Sequence, residues 1–404
     1  MKILKGFTFR LAKNVLEYTS FSNLSLKQYI FISTRSQSLY SSMDCFYIGF
    51  SDFSFINNYS QKNSFGKKTY LKIIFMIIKN TKYDQWQKNG NYKNTITFFT
   101  PTYNRSNLIS RVYKCLLNQT DKRLVWILVN DGSEDNTEDI AKAILDKNEL
   151  PMLFITKLNG GKHSAFETAF YEVQTEYFMC MDDDDIYSPK AVEIYLKEWN
   201  RIKQENKFER IGAIRTLTQE EDGSIVSGRP FDKSLFGTRV DQTTLVSNYV
   251  KHEHFENWTC YRTEALRSID LFPKNYWMYF QHKFFSEGIW QGRFARKFQC
   301  RYYFIVLREY RHDTEISIIR SNKNRQHYVD MFINTKMILD EQLDYIQKSP
   351  IQLLRGIAIV SILRYKLGFS LKELLRNTNS SLLKICYILA VPFVCLAKNP
   401  KIKQ

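Results

Sequence analysis

The sequence predicts an α/β protein with a mostly parallel, Rossmann-like sheet and a helical C-terminal extension. Three observations predict it. From Thr95 onward, short apolar runs of strand length alternate with segments of helical spacing. The junctions between them carry Gly, Asn, Asp and Pro, which close turns. After Arg325 the pattern turns entirely helical. At 404 residues the chain exceeds what a single core usually fills, so further elements beside the sheet domain are expected.

Residues 95–100 read as a first strand, and 107–117 as a helix after the turn at Pro101 and Asn104. Residues 124–130 form an apolar run closed by Asp131-Gly132-Ser133, and 138–145 have helical spacing. A third strand at 152–156 turns through Asn159-Gly160-Gly161 into a helix ending near Val173. A fourth, at 177–181, runs directly into Asp182-Asp183-Asp184-Asp185. Ser188-Pro189 predicts the next helix start, with Pro at its first position. Further on, 210–217 reads as a strand, Asp222-Gly223 as a hairpin turn, and 325–344, 351–366 and 371–376 as helices. This gives three regions: a basic extension over 1–90, the sheet domain over 91–320, and a basic helical region over 321–404.

Charge is distributed unevenly. Residues 1–90 carry 13 Lys/Arg against 4 Asp/Glu, 91–320 carry 32 against 32, and 321–404 carry 13 against 5. A protein that reads nucleic acid concentrates basic charge on the reading domain, and here the central domain is neutral. Basic flanks suit an anionic membrane surface instead. Seven widely scattered cysteines with no Cys-x-x-Cys pair fit a reducing compartment. No run reaches the roughly 18 to 20 apolar residues that span a bilayer. Residues 385–397 are apolar, interrupted by Pro392 and flanked by lysines, so they suit either the membrane interface or packing on the chain's own core. Residues 1–90 show no chemistry and no secretory signal, and Met76 is an alternative start.

The four aspartates follow a buried-type strand directly, so they collect at the carboxyl edge of a parallel sheet, where open α/β folds bind ligands. Carboxylates this crowded call for a cation, and a hard divalent ion with a substrate diphosphate supplies one. Asp131 ends the second strand at the same edge, where it can accept hydrogen bonds from a base or ribose, although Asp-Gly-Ser is also an ordinary turn. Asn159-Gly160-Gly161-Lys162 offers a helix amino terminus and a lysine to phosphate, without the spacing of a Walker loop.

Taken in order, Thr100-Pro101-Thr102-Tyr103-Asn104-Arg105, Asn130-Asp131-Gly132-Ser133, Asn159-Gly160-Gly161-Lys162 and Met181-Asp182-Asp183-Asp184-Asp185 resemble family 2 glycosyltransferases of the nucleotide-diphospho-sugar (GT-A) fold. The resemblance is strong over 93–210 and looser to about 320. It implies that Thr100, Pro101, Tyr103, Arg105, Asp131, Lys162, Asp182 and Asp183 bind the donor, with Pro101, Tyr103 and Asp131 lining the nucleoside pocket. It implies too that Asp182 and Asp184 hold Mg²⁺ or Mn²⁺. Asn130 stands where the family often has Asp. An inverting transfer needs a carboxylate base from the second half of the domain, and Glu287, in Ser286-Glu287-Gly288-Ile289-Trp290, resembles the family's acidic residue before a Trp. Glu256 is the alternative base, and His312-Asp313 a further metal or diphosphate contact.

The expected reaction moves a sugar from a nucleotide-diphospho-sugar to a hydroxyl of a glycan or lipid-linked acceptor, in the cytoplasm or on the inner face of the cell membrane. The rival reading, a nucleotidyltransferase that makes the sugar nucleotide, wants a Gly-rich basic loop after the first strand. Pro101-Thr102-Tyr103-Asn104-Arg105 is not such a loop.

Overall fold

In the computed structural model, residues 29–34, 45–50, 76–253, 255–271, 286–312 and 325–396 are described. The N-terminal segment considered for targeting and Asp313 lie outside them. Residues up to Ile77 and from Ile78 onward form separate units. In the first, Tyr29–Thr34 and Cys45–Phe50 pair antiparallel.

The second unit holds the sheet. Asn80 caps helix α1 (Thr81–Asn89) by accepting from the Tyr83 N–H, and its amide also bonds Leu150 and Met152. Strands β1 (Ile96–Thr102), β2 (Leu124–Asn130) and β3 (Met152–Thr156) pair in parallel, with β2 in the middle. Helices α2 (Ser106–Leu117) and α3 (Thr137–Lys147) connect them, and α4 (Lys162–Glu172) leads on from β3. Strand β4 (Tyr177–Cys180) pairs in parallel with the other side of β1, so the strand order runs 3-2-1-4 and reverses between β1 and β4. Ligands of open α/β sheets bind at such a reversal.

The sequence closes β1 at residue 100, yet it continues through Pro101 to Thr102. The reason lies in the ladder. Odd residues of β1 face β4: Thr95 and Phe99 accept from Tyr177 and Met181 through their carbonyls. The β4 pairing ends at Phe99 opposite Cys180, so Pro101, with no N–H, falls on the side where no partner remains. Even residues face β2, and Thr102 still accepts from the Asp131 N–H.

Beyond β4 the parallel pattern breaks. After the two-residue β5 (Ile186–Tyr187) and α5 (Ala191–Gln204) come β6 (Ile211–Gln219), β7 (Arg239–Gln242) and β8 (Asn257–Arg262). Strand β8 inserts antiparallel between β4 and β6, and β9 (Gln299–Glu309) runs parallel to β6 and antiparallel to β7 and β5. The expected hairpin turn is present, with Gly223 at φ 80° between bridged Gln219 and Ile225. The expected cap at Ser188-Pro189 is displaced. Helix α5 begins at Ala191, and the Pro189 carbonyl instead accepts from the Thr120 N–H.

After the short α6 (Thr263–Arg267), helix α7 (Glu287–Lys297) starts on the Ser286 cap and lies against α8 (Arg325–Ile346). Arg293 pairs with Glu341 and Arg296 with Asp344, the Gln342 amide donates to the Gly288 carbonyl at 2.9 Å, and Asn334 accepts from the Ser286 N–H at 2.8 Å. Added methyl at Gly292 would collide with Gln342, so glycine permits this close crossing. Helices α9 (Pro350–Leu367), α10 (Leu371–Arg376), α11 (Ser381–Leu389) and α12 (Val391–Leu396) complete the helical C-terminal region. Among the described residues, no helix is long and apolar enough to cross a membrane.

The core under the site is aromatic. Phe166 on α4 stacks edge-on to Phe99 and Phe178, with ring centres 5.7 and 5.2 Å away, and meets Trp290 of α7 at 5.8 Å. Beneath the other half of the sheet, Arg301 of β9, 2% exposed, is enclosed by Glu198, Glu205 and Asp241. Its two hydrogen bonds to Glu205 hold that carboxyl well down, at about 2, and its two to Asp241 hold Asp241 below the usual carboxylate range despite partial burial, with Lys207 assisting at both. Replacing Arg301 by Met removes the buried cation that all three share, leaving only the more exposed Arg239 on Glu198 and Lys207 on Glu205 and Asp241, and breaking a buried pair in this way costs about 3–5 kcal/mol. Urea unfolding of Arg301→Met should show a loss of this size; a loss under about 1 kcal/mol would count against the network as a structural anchor.

Candidate active site

The carboxyl ends of β1, β2 and β4 carry the predicted residues, and side chains stitch their loops together. The Asn104 N–H donates to Ser133 Oγ at 2.9 Å, and Asn104 Oδ1 accepts from the Glu134 N–H at 2.8 Å. Asp135 accepts from the Ser106 N–H and so caps α2 from the neighbouring loop. Asn130 is buried and its Oδ1 accepts from the Ser133 N–H at 2.8 Å, so it serves the turn. Gly132 sits at φ 80°, and a Cβ there would come within 2.7 Å of the Asn159 N atom. Only glycine lets the β2 loop press against the Asn159-Gly160-Gly161 loop.

Asp131 holds that contact. Its carboxylate accepts from Lys157 Nζ and from the Gly160 and Gly161 N–H groups, the latter at 2.7 Å. Burial raises its pKa above the ordinary carboxylate value, against the pull of Lys157. Lys157, which the sequence reading passed over, is therefore the inner partner of the cradle. Thr100, expected to bind the donor, is turned into the core. It is fully buried and its hydroxyl accepts from the Trp126 indole N–H at 3.0 Å. Pro101 is half-buried and Tyr103 is exposed beside it.

The acidic run does not act as one cluster. Asp182 turns toward α4, with Lys162 Nζ at 2.8 Å. Burial pushes its pKa up, but Lys162 and then Arg308 more than reverse this, so it sits below the usual carboxylate range. Asp183 is buried and receives Arg105 Nη1 at 2.7 Å, and the same nitrogen reaches Asp184 at 3.0 Å. Burial outweighs Arg105 and holds the Asp183 carboxyl at about 6. Asp185, also buried, is held at about 7 by burial despite Arg308 at 3.6 Å.

Asp182 and Asp184 side chains are 30% and 25% exposed. As carboxylate oxygens they have the donor chemistry a hard divalent ion takes. Among the described residues no three His, Cys, Asp or Glu side chains converge on one point.

Lys162 reaches further. Its Nζ lies 3.6 Å from Glu287, the first residue of α7, whose side chain is 47% exposed. The packing explains the meeting: Phe166, one turn beyond Lys162, touches Trp290, one turn beyond Glu287. Burial alone would lower the Lys162 pKa, and the carboxylates of Asp182 and Glu287 raise it well above the ordinary value. Lys162, Asp182 and Glu287 share a cavity of about 440 Å³, whose wall also includes Arg215, Trp258 and Arg308. Glu256, the alternative base, lines it too, bonded to Arg308 at 2.8 Å. His312 stands elsewhere, half exposed, with Nε2 2.7 Å from Glu220.

Residues 97–206 match the model of glycosyl transferase family 2. Over these residues the chain is similar to family 2 glycosyltransferases. A 115-residue stretch, 28% of the chain, is 33% identical to an uncharacterized glycosyltransferase of Rickettsia typhi and covers 35% of it. A 165-residue stretch, 40% of the chain, is 35% identical to the chondroitin synthase of Pasteurella multocida and covers 16% of it. The chain thus spans about a third or less of the length of these curated relatives. Among solved structures, residues 1–349 of TarS from S. aureus share 14% identity at a TM-score of 0.48, covering 74% of this chain and 88% of that one. The family match spans the loops that carry Pro101, Asp131, Lys162 and Asp182 to Asp185, as the GT-A resemblance implies.

Proposed function

We propose that the protein is an inverting glycosyltransferase that moves a sugar from a nucleotide-diphospho-sugar to a hydroxyl of a glycan or lipid-linked acceptor. The observation that carries this reading is the meeting of Asp182, Lys162 and Glu287 in one cavity at the strand reversal of a domain similar to family 2 glycosyltransferases. The Pasteurella relative, named a chondroitin synthase, supports a polysaccharide product.

In this reading the nucleoside lies against Pro101 and Tyr103, beside the loop that Asp131 fastens. Arg105 and Lys162 stand on either side of the acidic run and counter the negative charge of the diphosphate. Asp182 and Asp184 would hold Mg²⁺ or Mn²⁺, which when bound stabilises charge developing on the leaving diphosphate. Glu287 accepts the proton of the acceptor hydroxyl as that oxygen bonds to the anomeric carbon. The bond from that carbon to the diphosphate oxygen breaks, and the nucleoside diphosphate leaves from the opposite face. Lys162 Nζ stands 3.6 Å from the Glu287 carboxylate on the wall of the same cavity and helps to hold it there.

The same chain presents an apolar surface near its C-terminal end. Ile351 and Leu354 of α9 and Leu382, Ile385, Ile388 and Leu389 of α11 are all exposed, beside Arg355 and Lys384. Exposed aliphatics beside cations suit the interface of an anionic bilayer, which would hold the enzyme at the inner leaflet near a lipid-linked acceptor.

Each part has a test. Asp184→Ala should lose hydrolysis of UDP- or GDP-sugars and transfer together, by at least about a hundredfold in kcat; near-normal turnover with added Mn²⁺ would remove the metal assignment. Glu287→Gln should bind UDP as the parent does while transfer falls by about a hundredfold or more, and unchanged turnover would take Glu287 out of the mechanism. In flotation with phosphatidylglycerol vesicles the protein should rise with the lipid, and Ile385→Asp with Ile388→Asp should stay behind. Equal flotation of both, or of neither, would rule out this surface.

A further inference from the structure

Three cations line the cavity beside Glu287, and two of them have carboxylate partners. Lys162 meets Asp182 and Glu287; Arg308 meets Glu256 and Asp185. Arg215 is the third. Its residue is 8% exposed, its guanidinium forms no ion pair with any described carboxylate, and its Nε is buried without a hydrogen-bond partner. Arginine stays charged at every pH a protein survives, so it cannot relieve this burial by losing a proton. A Tyr302 ring lies 5.9 Å from the guanidinium carbon, a contact at the weak, distant end of cation–π attraction. Tyr302, Tyr261 and the Cys300 thiol, which the guanidinium also hydrogen-bonds, favour its charge, but none of them is an anion that neutralises it, and a buried charge with no opposite charge beside it is costly.

The position of Arg215 says which ligand. It lies on β6, paired with Thr259 of β8, and β8 separates β6 from the β4 strand that delivers Asp182. Two strand spacings, about 10 Å, thus separate Arg215 from β4. The nucleoside loops lie at β1 and β2, on the opposite side of β4. Glu287 faces the same cavity as Arg215, and a base stands on the acceptor's side of the anomeric carbon.

We propose that Arg215 is an anion subsite for the acceptor: the enzyme takes an acceptor that carries a carboxylate or phosphate next to the sugar unit that is extended. The planar guanidinium recognises either group through paired N–H donors. This rests on the glycosyl-transfer reading above for the word acceptor, while the anion subsite itself stands on Arg215 alone.

The test uses the full chain and matched pairs of small probes: methyl glucuronide against methyl glucoside, and glycerol phosphate against glycerol, with UDP and Mn²⁺ as a separate titration. The parent protein should bind at least one charged probe about tenfold or more tightly than its neutral twin. Arg215→Gln should erase that preference with UDP affinity unchanged, and Arg215→Lys should retain part of it. Preference for the glucuronide alone identifies a carboxylate, and for glycerol phosphate alone a phosphate. If Arg215→Gln does not fold, Arg215→Lys carries the comparison, and an undiminished preference there overturns the proposal. So does equal binding of charged and neutral probes by the parent, or a charge preference that survives in Arg215→Gln. Weakened UDP binding in Arg215→Gln would assign the guanidinium to the donor diphosphate and overturn the acceptor role. Failure of UDP to bind the parent at all speaks against the donor reading and leaves the probe comparison intact.

Discussion

The parting of β1 and β4 governs the rest of the molecule. The two strands share their ladder only as far as Phe99 and Cys180, and Pro101, unable to donate a hydrogen bond, occupies the first position where none is needed. From there one chain turns toward Tyr103 and Arg105, and the other into four aspartates. The gap follows from that backbone chemistry, and apart from Thr100 and His312 the candidate ligand-binding side chains border it or the cavity beyond it.

Around that gap, charge is arranged as alternating pairs. Lys157 with Asp131, Lys162 with Asp182 and Arg105 with Asp183 and Asp184 each join two different loops. Buried or half-buried pairs of this kind contribute little net stability but fix geometry, because leaving either partner alone is costly. These pairs thus tie the loops to one another across the gap.

Much of this could be read in the sequence, for a physical reason. Strand ends in a parallel sheet are announced locally, by an apolar run stopping at Gly, Asn or Asp; Asp131 and Asp182 sit at such stops, and Lys162 just past the Asn159-Gly160-Gly161 turn that follows one. What escaped notice depends on contacts between distant segments. Arg215 and Arg301 look like ordinary polar positions on alternating strands; only the order β4-β8-β6-β9 reveals one lining a cavity and the other enclosed by three carboxylates. Thr100 misled in the opposite direction, since motif position cannot show that its hydroxyl is occupied by Trp126. Lys157 lies next to a motif without belonging to it.

Glu287 combines a clamped backbone with an open side chain. Its helix is fastened through Ser286, Gly288 and Arg293 to α8, while nearly half of its carboxyl side chain meets solvent. If Glu287 is the base of the proposed transfer, its captured proton can pass straight to bulk water between turnovers. Its regeneration then needs no relay of internal donors.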